Sequence, residues 1–172
     1  NGIHIAHAET NIVFSEVLYN PDGVDTGFEY IVIENKGSSA ADLSGWDVYP
    51  DGIGYYTFPA FTLDAGKKVT VYLRADGTNS SDALYFKDAK GNIGNTSGSI
   101  ALFTSNTHGD TTIVDFVQYG KAGETWEPSA EKAGLWVKGE FVPVDSTVEG
   151  KILKRKDDGH GLSSWELADT GL

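Results

Sequence analysis

The 172-residue sequence combines 40% apolar residues, four Trp, eight Tyr and eight Phe with 13 basic against 25 acidic side chains, a formal net charge of −12. So much aromatic surface can offset the entropy of ordering the chain, which excludes a disordered polymer, and the acidity opposes nucleic-acid binding, which depends on Lys and Arg neutralising phosphates. With no Cys, neither a disulfide nor a thiolate metal site is available, and no apolar run approaches the roughly 18 residues of a membrane span.

Residues 1–10 are expected to form a flexible N-terminal tail, and residues 11–172 a single domain. The chain contains no Met and begins Asn1-Gly2-Ile3, as expected of a processed or excised chain from an exported protein. In the tail, His4, His7 and Glu9 are three potential ligands for zinc or nickel. On a strand, positions 4 and 7 would face opposite ways, so the spacing suits a helix or loop better. A frayed tail is the plainer reading.

From residue 12 onward, short apolar runs alternate with Gly, Asn and Asp clusters, the signature of antiparallel strands. The first is Ile12 to Leu18, closed by Asn20-Pro21-Asp22-Gly23, where Pro in second place and Gly in fourth favour a type I turn. In Phe28 to Glu34, residues 29, 31 and 33 share one face, with Ile31 and Ile33 inward and Val32 outward. Asp42-Leu43-Ser44-Gly45-Trp46 is a turn feeding a strand at Trp46 to Tyr49, which lets a large ring enter the core. Further strands are expected at Tyr55 to Phe58, Lys68 to Leu73, Leu84 to Phe86, Ser99 to Phe103, Ile113 to Tyr119 and Lys151 to Arg155. Gly66, in Asp64-Ala65-Gly66, sits where a tight turn needs φ > 0.

These nine strands predict an all-β fold, with irregular loop spacing that suits two stacked sheets better than a closed barrel. Residues 121–148 form one long irregular insert carrying Trp126, Trp136 and Phe141, within which Glu127 to Lys132 is expected to make one short helical turn.

The ordered set Ser15-Glu16-Val17-Leu18-Tyr19-Asn20-Pro21, Glu29 to Asn35, Asp42 to Trp46, Phe58-Pro59, Leu63 to Gly66, Val69 to Tyr72, Val114 to Gly120, Gly150 to Arg155, Asp158-Gly159 and Trp165 resembles the lamin-tail domain family. The resemblance implies an immunoglobulin-like antiparallel β-sandwich. In animals such domains end the nuclear lamins, where they bind proteins and chromatin. In bacteria and archaea they accompany exported proteins, often beside nucleases or phosphatases. The absence of heptads and the acidity here fit the exported context. The ending Asp169-Thr170-Gly171-Leu172 departs from the Thr-Pro-Gly that relatives often carry.

For function, the sequence supports a non-catalytic module of an exported or cell-surface protein that binds a protein or a neighbouring domain. A carbohydrate-binding module is the alternative: Tyr49, Tyr55 and Tyr56 surround one turn, and Trp126 and Trp136 lie in the insert, where their rings serve either glycan stacking or core filling. Calcium is the one cofactor considered, at the acidic turns holding Asp22, Asp25, Asp157 and Asp158, although neither has the spacing of an EF-hand loop. A hydrolase is the weakest reading, because no Gly-x-Ser-x-Gly elbow is present and no carboxylate pair stands out. Asn79-Ser80-Ser81 and Asn95-Thr96-Ser97 match the N-glycosylation pattern, which plain turns also produce.

Overall fold

The computed structural model describes residues 11–170. In chain order its elements are β1 (Ile12–Asn20), β2 (Tyr30–Asn35), β3 (Ala41–Asp42), β4 (Asp47–Pro50), β5 (Tyr56–Thr57), β6 (Thr62–Leu63) and β7 (Lys68–Leu73). There follow β8 (Ala83–Phe86), β9 (Gly98–Phe103), β10 (Ile113–Tyr119), the helix α1 (Glu127–Lys132), β11 (Lys151–Arg155) and β12 (Trp165–Asp169). A six-stranded sheet in the order β12-β11-β1-β2-β7-β8 packs against a four-stranded sheet β10-β9-β4-β5, and β3 and β6 form a separate short pair. The all-β sandwich and the helical turn agree with expectation. The three strands beyond the expected nine are β3, β6 and β12.

The core lies between the two sheets. Phe14, Val17, Tyr19, Ile31 and Ile33 from one side meet Val48, Ile100, Leu102, Val117 and Tyr119 from the other. Each large side chain so buried contributes about 1.5–3 kcal/mol relative to exposure. The inward residues of β1 are 12, 14, 17 and 19, a period of two with one residue inserted. A β-bulge absorbs that residue, because the register with β2 slips between Phe14 and Glu16. A second bulge, between Ile113 and Asp115, interrupts the β10–β9 ladder.

Three local expectations need correction. Strand β8 runs parallel to β7, so residues 74–82 must travel back along the open edge of the sandwich. Asn20-Pro21-Asp22-Gly23 is a bend held from outside: the Gly23 N–H donates to the Glu149 carboxylate at 3.1 Å, and the Asn20 carbonyl accepts from Gly150 at 2.8 Å. At the Leu43–Trp46 turn, closed by a 3.0 Å bond from Trp46 N–H to Leu43 O, Leu43 enters the core and Trp46 stays half-buried. Val32 faces outward as expected, nearly covered beside its cross-strand partners Glu16 and Thr70. Gly66 does adopt a left-handed φ of +73°.

Candidate functional site

On the outer face of the four-stranded sheet, β4 and β9 place Asp47, Tyr49 and Phe103 together, since Asp47 pairs with Phe103 across the ladder. The loop after β9 folds His108 onto them, and the start of the insert adds Trp126. The His108 ring centroid lies 4.6 Å from Phe103, 4.8 Å from Tyr55, 5.1 Å from Tyr49 and 5.7 Å from Trp126. Its Nε2 is 2.6 Å from Asp47 Oδ2, and the Thr57 hydroxyl donates to Asp47 Oδ1 at 2.6 Å. The Asp47 carboxylate is fully buried, so these two partners offset the cost of removing its charge from water. Thr57 bonds the acid and not the imidazole, whereas a triad nucleophile must sit against the histidine. Sequence reading passed over this pair, because Asp47 and His108 are 61 positions apart.

The insert's own polar anchor is Glu127. Its carboxylate accepts from Gln118 Nε2 at 2.6 Å, Gly123 N–H at 3.2 Å and Gly139 N–H at 3.3 Å. Burial pushes its pKa up, but those hydrogen bonds and the nearby Lys138 charge outweigh it and hold the carboxyl below the usual range. Asp51 and Glu124 bring two carboxyl groups together at the root of the insert. Burial and the hydrogen bond and charge of Asp51 raise Glu124. Burial also pushes Asp51 up, yet donors from Thr125 prevail and lower it. The Thr125 N–H reaches Asp51 Oδ2 at 2.9 Å and Lys121 lies 3.7 Å from Glu124, so the pair ties the root of the insert to the turn after β4.

The predicted ligand-binding aromatics separate. Tyr55 is 45% exposed, Tyr49, Tyr56 and Trp126 are half-buried, and Trp136 is only 3% exposed. Trp136 is a core ring: it packs edge-on to Phe116 at 5.5 Å and donates its indole N–H to the Glu140 carbonyl at 2.8 Å. Tyr55 and Tyr56 border a groove of about 630 Å³ between β5 and β8, shared with Asp76, Asn79, Tyr85 and Asp88. Tyr85 and its acidic neighbours were not singled out from sequence, because only the parallel placement of β8 brings them opposite β5.

The acidic turns hold separate partners. Asp25 accepts from Asn95 at 3.0 Å, Asp157 accepts from Gly159 N–H at 2.8 Å, and Asp158 pairs with Lys36 at 3.0 Å. Asp22 lies against Gly150. Among the described residues no three His, Asp or Glu side chains converge as a metal-holding group. His4, His7 and Glu9 lie outside the described residues.

Two stacked sheets of this order, with loops gathered at the ends, define an immunoglobulin-like β-sandwich. The chain belongs to the Lamin Tail Domain family, whose model matches residues 5–121. No curated protein matches it. The matched stretch ends at the start of the insert; β11 and β12 of the six-stranded sheet lie beyond it.

Proposed function

We propose that this domain is a non-catalytic interaction module carried by an exported or cell-surface protein, docking through its loops onto a partner protein or a neighbouring domain of the same polypeptide. The immunoglobulin-like fold of this family is consistent with an interaction module, and the net charge of −12 favours protein over nucleic-acid partners. One observation carries the reading. Three apolar side chains stand in solvent on loops at one end of the sandwich: Val24 at 66%, Phe28 at 62% and Val148 at 39% exposure. Their loops are joined, since Asn20 Nδ2 donates to the Val148 carbonyl at 3.3 Å and Gly23 N–H to Glu149. Exposed apolar groups on mutually braced loops are what a docking surface requires.

Hydrogen exchange tests this by comparing the domain within its parent polypeptide and the domain alone. Slower exchange at residues 22–28 and 145–149 in the parent, abolished by Val24→Ser with Phe28→Ser, is the expected result. Identical exchange in both forms would overturn docking to a neighbouring domain.

A further inference from the structure

We propose that the groove between β5 and β8 is a binding site for a short neutral oligosaccharide. The groove lies where one edge strand of each sheet comes together, and its volume of about 630 Å³ falls within the range of small-molecule sites. Tyr55 supplies a platform. Its ring is backed by His108 at 4.8 Å and Tyr49 at 5.3 Å, which fix its plane, while 45% of the residue remains open. An aromatic ring held in this way suits the CH-bearing face of a pyranose.

The polar lining complements hydroxyl groups. Asp76 and Asp88 are exposed carboxylates that accept hydrogen bonds, and Lys87 donates. Asn79 adds an amide that can both donate and accept. Paired acids in the lining repel phosphorylated, sulfated or uronic ligands, which selects neutral sugars. The groove is also preformed. The Tyr85 ring stacks on Tyr72 at 5.4 Å with 21° between planes. Gly77 lies so close to Tyr85 that a Cβ there would stand 2.4 Å from the ring, so a larger residue would push the ring from its stacked position.

A peptide adding itself as a strand is the competing occupant. It would need the free hydrogen-bonding edge of β8, but the Ser80 N–H already donates to the Ala83 carbonyl at 2.9 Å. The geometry therefore favours a ligand held by side chains over one held by backbone.

An array of neutral oligosaccharides probed with the intact domain tests the proposal, followed by calorimetry with the best-bound sugar. Tyr55→Ala and Asp88→Ala should each weaken binding at least tenfold. Asp88 is exposed, so its variant keeps the fold even if the tyrosine variant does not. Val24→Ser should bind sugar normally, which separates this site from the loop surface proposed above. No binding to any neutral glycan, binding indifferent to both substitutions, or binding only to peptides would overturn it.

Discussion

Asp115 Oδ2 lies 2.6 Å from Arg155 Nη2, with each side chain 1% exposed, and the pair ties the four-stranded sheet to the six-stranded one. Every other polar atom of the pair is engaged. Phe14 lies just beyond the last β1–β11 pair, Glu16 with Lys154; its N–H donates to Asp115 Oδ2 at 2.7 Å, while Arg155 Nε donates to its carbonyl at 2.7 Å. His160 lies 3.0 Å from Asp115 Oδ1, Arg155 also donates to the Gly159 carbonyl, and its guanidinium sits 4.9 Å over the Trp165 ring. Removing one member strands the other charge in the core. Asp115→Ala should therefore cost about 3–5 kcal/mol, read as a shifted urea midpoint. An unchanged midpoint would show the pair to be dispensable.

The same relationship defines where the domain ends. The family match stops at residue 121, yet Arg155 completes the buried pair, and β11 pairs with β1 over residues 151–154. A chain cut after residue 121 would leave Asp115 unpaired and expose one edge of β1. It should show no cooperative thermal transition, whereas residues 11–170 should unfold in one step. A cooperative transition in the short chain would refute this.

How the insert stays on the sheet can be read from Glu127. Replacing it with Ala leaves Gln118, Gly123 and Gly139 donors without their acceptor. A loss of about 1–3 kcal/mol is expected, as for other orphaned buried groups. Exchange should quicken at residues 121–142 well before it does in β1. If all strands loosen together, the insert is not a separable unit.

The aromatic cluster makes a sharper demand on His108. His108→Ala removes a partner from the buried Asp47 carboxylate and opens space among Tyr49, Phe103 and Trp126. Loss of about 1–3 kcal/mol is expected from the carboxylate oxygen left without its partner, with the lost ring packing added to it. Adding Asp47→Asn should recover part of it, because the neutral amide tolerates burial. A double-mutant cycle with no coupling would separate the two residues energetically.

Much of this architecture was legible in the sequence. Lys68 to Leu73, Ile113 to Tyr119 and Lys151 to Arg155 alternate or run apolar between clear turns, and each forms the expected strand. The strand Trp165–Asp169 was missed, because Glu, Leu, Ala and Asp carry little strand propensity and only pairing with β11 holds them extended. The parallel direction of β8 was equally hidden, since a local pattern carries no information about which neighbour a strand will find. That direction creates the groove beside Tyr55. Tyr55 itself could be named from its turn, but its polar surroundings could not. For Trp136 the sequence left glycan stacking and core filling both open, and the buried ring, with its indole N–H on the Glu140 carbonyl, shows that it fills the core.

The pH dependence of stability follows from Glu29, which shares the inward face with Ile31 and Ile33 and is 1% exposed. Oε1 accepts from the Ile93 N–H at 2.8 Å, and Oε2 is buried without a protein partner. Burial pushes its pKa up from 4.5 to about 8; the Ile93 hydrogen bond and the Arg74 charge pull the other way, and Asp25 adds to the rise. Between those two values the folded state keeps a proton that the unfolded chain has released. Glu29 thus contributes stability that is complete below the unfolded value and is lost as pH rises through about 8. Glu29→Gln retains a carbonyl for Ile93 and carries no charge. The variant should match the parent near pH 5 and exceed it near pH 8.5 by about 1–2 kcal/mol, a rise of roughly 2–8 °C in Tm for a domain of this size. Equal melting temperatures at the alkaline pH would mean that Glu29 is ionised in the fold and paired with a group other than Ile93.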